Sequence, residues 1–179
     1  MYDNEIYALT KNQSSPTTRK GHPTATQPGG TFLDPIVPMR FALGLGASFA
    51  ASTADWLPDH FVSTLKAAYA HKGFSFVHVF QRCPHFDSQN FDSKSAAWFS
   101  FLTHDKGIPA DKRLADKAQV VVHDPADKET AFRYADSTQT YLGLFYHDPN
   151  KPCYDEILQR RIQETRQNPR SGILDSYKI

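Results

Sequence analysis

Two apolar stretches frame this chain. Phe74-Ser-Phe-Val-His-Val-Phe80 is almost continuously apolar, aromatic or β-branched, the mark of a strand buried on both faces and hence of a parallel sheet. Just upstream, Leu57, Phe61, Val62, Leu65, Ala68 and Tyr69 recur at helical spacing and predict a helix over residues 55–71, its apolar face packed on that sheet. Asp55 can cap it, and Pro58 falls in the tolerated first turn. Lys66, His71 and Lys72 bring positive charge toward its C-terminal end, and Gly73 supplies a left-handed stop.

The same reading extends outward. Asp34-Pro35 is a helix start, with Ile36, Val37, Phe41, Ala42 and Leu45 at helical spacing and Gly44 and Gly46 ending the run. Residues 47–52, small and apolar, fit a buried strand. Between residues 16 and 38, five prolines and the Gly29-Gly30 pair exclude long regular structure and predict a loop crossing the face of the sheet, and loops of that length are usually functional. After Pro84, residues 95–102 read as a short helix and 119–123 as a strand. A helix follows from Asp124-Pro125 to Tyr134, then a strand over 141–146. Tyr154, Ile157, Leu158 and Ile162 mark a final amphipathic helix, and the tail from Thr165 is polar and expected to be mobile. The alternation predicts an α/β three-layer sandwich with a mainly parallel sheet.

Composition narrows the function. With 179 residues and a net charge of +1, the chain reads as one domain without the field that nucleic acid or an anionic membrane would need. No apolar run approaches a membrane span, and no basic-then-apolar leader opens the sequence. Two distant cysteines, Cys83 and Cys153, make no disulfide framework. The expectation is a cytoplasmic protein with neither nucleic acid nor membrane as partner. Thr18-Arg19-Lys20 lacks interleaved aromatics and reads as a solvated loop.

Chemistry concentrates in residues 1–18. Asp3, Asn4, Thr10, Asn12, Gln13, Ser14, Ser15, Thr17 and Thr18 crowd oxygen-bearing side chains around the apolar Ile6, Tyr7 and Leu9. Carboxamide, hydroxyl and backbone carbonyl oxygens suit a hard cation such as Mg²⁺, which keeps phosphate oxygens as co-ligands. A polar surface loop with an Asx turn at Asp3-Asn4 fits the same residues. Cys83 follows the buried strand at its carboxyl end, where open α/β sheets bind ligands. It also fits a small buried hydrophobe. His78 and His85 flank it, but not at a standard zinc spacing.

Asp3-Asn-Glu-Ile-Tyr-Ala-Leu-Thr-Lys-Asn-Gln-Ser-Ser-Pro-Thr17, together with His71-Lys-Gly-Phe-Ser-Phe-Val77 running into Phe80-Gln-Arg-Cys-Pro84, resembles the thiamine-pyrophosphate-binding β subunit of 2-oxoacid:ferredoxin oxidoreductases, in its C-terminal part. The segment 41–49 shares the likeness. The resemblance implies the downstream half of a thiamine-pyrophosphate-binding domain over residues 1–84 and a C-terminal extension over 85–179. Met1 and Tyr2 would end a parallel strand, with the upstream half of the site missing, as in a fragment, a mis-called start or a split gene.

The resemblance also implies roles. Asn4 through its side chain and Ile6 through its carbonyl would bind Mg²⁺. Tyr7, Leu9 and Thr10 would lie along the cofactor, and Lys11 would face the substrate end as the catalytic-site residue. Cys83 would complete a [4Fe–4S] cluster whose other ligands lie upstream. Ala8 and Asn12 stand where the family usually has glycine. The implied activity is oxidative decarboxylation of a 2-oxoacid, pyruvate or 2-oxoglutarate, to an acyl-CoA with electrons passed to ferredoxin, in complex with an α subunit. Two alternatives stay open: a non-redox thiamine-dependent decarboxylase or carboligase, and a non-catalytic remnant.

Overall fold

The computed structural model describes residues 1–88, 90–91 and 96–167. Its centre is a six-stranded sheet. Tyr2–Asp3 (β1), Phe49–Ala54 (β4), Ser75–Phe80 (β5), Phe99–Thr103 (β6), Gln119–Val122 (β7) and Thr140–His147 (β8) lie in the order β1-β5-β4-β8-β6-β7. Ile6–Tyr7 (β2) and Gln13–Ser14 (β3) form a separate antiparallel hairpin inside the oxygen-rich stretch. Every pairing in the large sheet is parallel except β4 with β8. The mainly parallel sheet is therefore as expected, and β1 pairs parallel to β5 at one edge.

Helices cover both faces: Pro38–Gly44 (α1), Pro58–Ala70 (α2) and Lys128–Ala135 (α3), with Tyr154–Gln167 (α4) following. Neighbouring strand residues show the layers. Ala50 packs with Met39 and Leu43 of α1 and Ala131 and Ala135 of α3. Ala51, pointing the other way as strand geometry demands, packs against Ala67 and Ala68 of α2. Gly143 (φ +129°) lets β8 close on β6, because a Cβ there would collide with the carbonyl oxygen of Leu102.

Several elements depart from the pattern reading, each for a physical reason. The first helix starts at Pro38, not at Asp34-Pro35. Val37 precedes a proline and is extended (φ −95°, ψ 102°), as such residues are driven to be, while Asp34 pairs with Lys20. In α1 the buried residues are Met39, Ala42 and Leu43, and Phe41, with Leu45 just after the helix, is exposed; Ile36 falls before the helix. In α2 no side chain caps the N-terminus, and the expected apolar face is largely exposed at Val62, Leu65 and Tyr69. The helix approaches instead through His60 and Thr64. Thr53, in a strand sealed from water, needs a polar partner, and His60 Nδ1 supplies it at 2.8 Å.

Residues 99–103 form a strand, not part of a helix. Phe99, Phe101 and Leu102 are buried, and short apolar runs of this kind serve either element until a sheet claims them. Helix α3 begins after Asp127, whose carboxylate accepts from Thr130 N–H at 3.0 Å, rather than at Asp124-Pro125. The expected mobile tail lies, from residue 168 on, outside the described residues.

Candidate active site

The site grows from the end of β1. Asp3 is 6% exposed, and a buried carboxylate must be compensated. Its Oδ1 accepts from Glu5 N–H at 2.9 Å and from Thr17 Oγ1 at 2.7 Å, and its Oδ2 accepts from His78 Nε2 at 3.0 Å. Burial works to raise the Asp3 pKa. The hydrogen bonds from His78, Thr17 and Glu5 outweigh it and hold the carboxyl below its usual value. One side chain thus joins β1, β5 and the Ser15–Thr18 loop.

Glu5 follows with φ +59°, a left-handed conformation uncommon for a residue with a side chain. Thr18 Oγ1 donates to its carbonyl at 2.5 Å. The bond from Glu5 N–H to Asp3 Oδ1 closes the Asx turn expected at Asp3-Asn4, and Asn4 Oδ1 accepts from Ile6 N–H at 3.2 Å in a second one. Asn4, Ile6, Tyr7, Ala8, Leu9, Thr10 and Gln13 then line a concavity of about 540 Å³. The structure therefore gathers Asn4, Ile6, Tyr7, Leu9 and Thr10 in one place. Thr10 Oγ1 donates to Tyr7 O at 3.2 Å. Lys11 is exposed, has φ +65°, and does not line the concavity. Asn12 also adopts positive φ, +67°, a conformation asparagine tolerates better than most residues.

A second cavity of about 510 Å³ opens beside the turn, at the carboxyl ends of β1, β5 and β4. Asp3, Glu5, Arg19, Ser52, His78 and Trp98 are among its walls. The loop of residues 16–37 closes one side through Pro35, Ile36 and Val37, which fits its expected course over the sheet. Glu5 is anchored there by Arg19 Nε at 2.8 Å and by Asn90 Nδ2 at 3.1 Å. Burial pushes its carboxyl pKa up, against the opposing pull of Arg19.

Cys83 lies beyond β5, 8% exposed and with a free thiol. Its backbone bridges Asp87, whose N–H donates to Cys83 O at 3.1 Å. Cys153 is also free and less buried. Among the described residues no three His, Cys, Asp or Glu side chains stand together as a metal set.

The fit to the implied groups follows from these donors. Asn4 Oδ1 keeps a lone pair beyond the one given to Ile6 N–H, and Asn4 and Ile6 both line the concavity. Two oxygen donors suit part of a Mg²⁺ shell, which takes phosphate oxygens and water for the rest. Cys83 can offer one thiolate to a cluster that needs about four.

Residues 1–79 match the model of the thiamine pyrophosphate enzyme family, C-terminal TPP binding domain. The 2-oxoglutarate oxidoreductase subunit KorB of Mycobacterium tuberculosis is 29% identical over 201 residues, covering 96% of this chain and 54% of that protein. The 2-oxoacid:ferredoxin oxidoreductase 1 subunit beta of Aeropyrum pernix is 30% identical over 169 residues, covering 90% and 49%. This chain resembles the β subunits of 2-oxoacid:ferredoxin oxidoreductases. A solved structure agrees: the 2-oxoglutarate:ferredoxin oxidoreductase from Magnetococcus marinus, with 2-oxoglutarate, coenzyme A and succinyl-CoA bound. It superposes with a TM-score of 0.76 at 27% identity, covering 91% of this chain and 50% of that one. The chain spans about half the length of these relatives. The match of residues 1–79 contains the whole Asn4–Gln13 concavity and ends at Val79, one residue before β5 does.

Pattern reading named Asp3, Thr17 and His78 without joining them to one another, and missed Glu5 and Arg19 as parts of the site. A signal for one of the joins existed. His78 interrupts a strand that is otherwise apolar, and a polar ring there requires a buried partner.

Proposed function

We propose that this chain supplies the downstream, cofactor-binding part of a 2-oxoacid:ferredoxin oxidoreductase β subunit. The reaction is the oxidative decarboxylation of a 2-oxoacid to an acyl-CoA, with electrons passed to ferredoxin. The observation that carries this reading is the concavity formed by Asn4, Ile6, Tyr7, Leu9 and Thr10, inside the segment that matches a thiamine-pyrophosphate-binding domain. Residues 1–84 form the partial cofactor domain and 85–179 the extension. The working assembly includes an α subunit and meets ferredoxin, a 2-oxoacid and coenzyme A in the cytoplasm. No described helix is long and apolar enough to cross a membrane.

Each residue has a proposed task. Asn4, through its carboxamide oxygen, and Ile6, through its carbonyl, hold Mg²⁺, with Tyr7, Leu9 and Thr10 along the diphosphate side. Lys11, exposed beside the concavity, serves at the substrate end. Cys83 provides one thiolate to a [4Fe–4S] cluster. Thiamine pyrophosphate supplies the carbanion chemistry when bound, while the protein binds and orients it. The relatives named as ferredoxin-dependent enzymes favour this reading over a non-redox thiamine enzyme.

The test is recovery of the chain from its host through an affinity tag, without oxygen and with its bound partners. The expected preparation carries thiamine pyrophosphate and reduces ferredoxin only when both a 2-oxoacid and coenzyme A are present. A preparation with neither thiamine pyrophosphate nor such reduction overturns the proposal.

A further inference from the structure

We infer that Glu5 is a positioning residue that ties the Asn4–Ile6 turn to the Cys83 segment, so that the two ends of the site are held in one geometry. This rests on the reading of Asn4 and Ile6 as the metal-binding pair. Glu5 sits between them in sequence, and its backbone is fixed on both sides, by Asp3 at its N–H and by Thr18 at its carbonyl. Its φ of +59° is one that glycine would adopt without strain. A side chain kept there must make interactions that offset the strain.

Those interactions lead away from the turn. Glu5 Oε2 meets Arg19 Nε at 2.8 Å and Asn90 Nδ2 at 3.1 Å. Asn90 N–H in turn donates to Asp87 Oδ1 at 3.2 Å, and Asp87 N–H donates to Cys83 O. The path from metal turn to thiol is therefore Glu5, Asn90, Asp87, Cys83, each step a hydrogen bond. The loop that carries Arg19 adds a second fastening. His22 Nε2 lies 3.1 Å from Asp87 Oδ2, close enough for an ion contact though not aligned as a hydrogen bond. The Arg19 guanidinium sits 5.2 Å over the Phe91 ring. Glu5 itself touches no reacting group; its part is to fix the distance and angle between the turn and the cysteine.

The full chain tests this without any cofactor. In a Cys153→Ser background Cys83 is the sole thiol, and its reaction rate with a disulfide reagent reports opening of its segment. Amide hydrogen exchange at Ile6, whose N–H is held by Asn4, reports the turn. Glu5→Ala and Asn90→Ala are each expected to speed both readings by about ten-fold, the scale of losing a charge-assisted hydrogen bond. Glu5→Gln, which keeps an acceptor for Asn90, should change both less. The decisive variant is Asn90→Ala, whose side chain reaches the turn through Glu5. Faster Cys83 labelling with an unchanged Ile6 amide, or no change in either, overturns the coupling. Should Glu5→Ala unfold the chain, Asn90→Ala decides alone. Failure of Mg²⁺ or thiamine pyrophosphate to bind would remove the metal reading and leave these two rates untouched, so the two failures are distinguishable.

Discussion

His78 Nε2 on β5 donates to Asp3 Oδ2 at the end of β1 across 3.0 Å, with both side chains almost sealed from water. The pair does two jobs. It fastens the edge strand to its neighbour, and it leaves Asp3 Oδ1 to hold Glu5 N–H and Thr17. The turn that presents Asn4 and Ile6 therefore depends on a histidine more than seventy residues away in sequence.

A pH dependence follows. The folded state holds the Asp3 carboxyl below its ordinary value. Its stabilisation is therefore fully present above the unfolded-state pKa and is lost as pH falls through the lower folded value. Asp3→Asn should reduce stability by about 2 kcal/mol near neutral pH, the scale of hydrogen bonds to a buried charge. The deficit should shrink in acid. Urea unfolding of both proteins at about pH 7 and about pH 3 checks this, and an undiminished deficit in acid would place the effect elsewhere than in the charge.

His60 gives a second pH dependence. Burial lowers its pKa from 6.5 to about 4, against a smaller opposing pull from Asp111. The unfolded chain takes up a proton near pH 6.5 that the folded chain refuses until about pH 4. Stability should thus fall as pH drops through that window and gain nothing further from His60 below it, for a total of roughly 3 kcal/mol. His60→Gln, which can still bond Thr53, should be less stable at neutral pH but lose less between the two limits. A variant with the wild-type slope would show that another group carries the loss.

How much of this was legible in the chain depends on whether the cause was local. The run at 74–80 reveals β5 because a strand buried on both faces has no room for polar alternation, and the Asn4–Thr10 cluster stands out because its residue types are concentrated, and the fold shapes it into a concavity. The face of α2 was legible only in part, at Leu57 and Ala68. It is set by Thr53, a strand residue that needs His60, and by Ala67 and Ala68, which let the helix approach; Val62, Leu65 and Tyr69 satisfy the helical period and yet face outward. The start of α1 was misplaced because Asp34-Pro35 and Val37-Pro38 both make good starts, and the second proline forbids the first. Likewise, Glu5 and Arg19 are ordinary surface residues until the fold brings Asn90 beside them.

Mg²⁺ dependence separates the proposed ligand from its neighbours. Asn4 faces the concavity, whereas Ser14 Oγ is engaged with Thr24 Oγ1 at 2.8 Å. In the proposed assembly Asn4→Ala should weaken Mg²⁺ and thiamine pyrophosphate binding at least ten-fold, about the effect of losing one direct contact to a cation. Ser14→Ala should leave binding near wild type. Calorimetric titration of cofactor at several Mg²⁺ concentrations measures both, and equal affinities for the two variants would remove Asn4 from the metal shell.

The Lys11 N–H donates to Ala8 O at 3.0 Å, while its exposed side chain makes no hydrogen bond or ion pair with another described residue and is free to meet a ligand. A cation at the distal end of a 2-oxoacid favours a second carboxylate there, by up to a few kcal/mol where the pair is desolvated. Lys11→Ala should lower kcat/KM for 2-oxoglutarate more than for pyruvate. Equal losses on the two acids would place Lys11 outside the specificity pocket.

The two cysteines give the sharpest contrast. Cys83 is buried, follows β5 at the ligand end of the sheet, and has its carbonyl pinned by Asp87 N–H. On the proposed reading, Cys83 supplies one thiolate to a cluster whose remaining ligands lie upstream. Cys153 stands just ahead of α4, in a more exposed setting, and its N–H reaches only Glu156 three residues on. Each is replaced by serine in the proposed assembly, purified without oxygen, and iron is counted together with bound thiamine pyrophosphate. The Cys83 variant should lose iron and ferredoxin reduction while keeping its thiamine pyrophosphate, since Asn4 and Ile6 are untouched. The Cys153 variant should keep all three. Full iron and full ferredoxin reduction in the Cys83 variant would make this cysteine a small buried hydrophobe and nothing more.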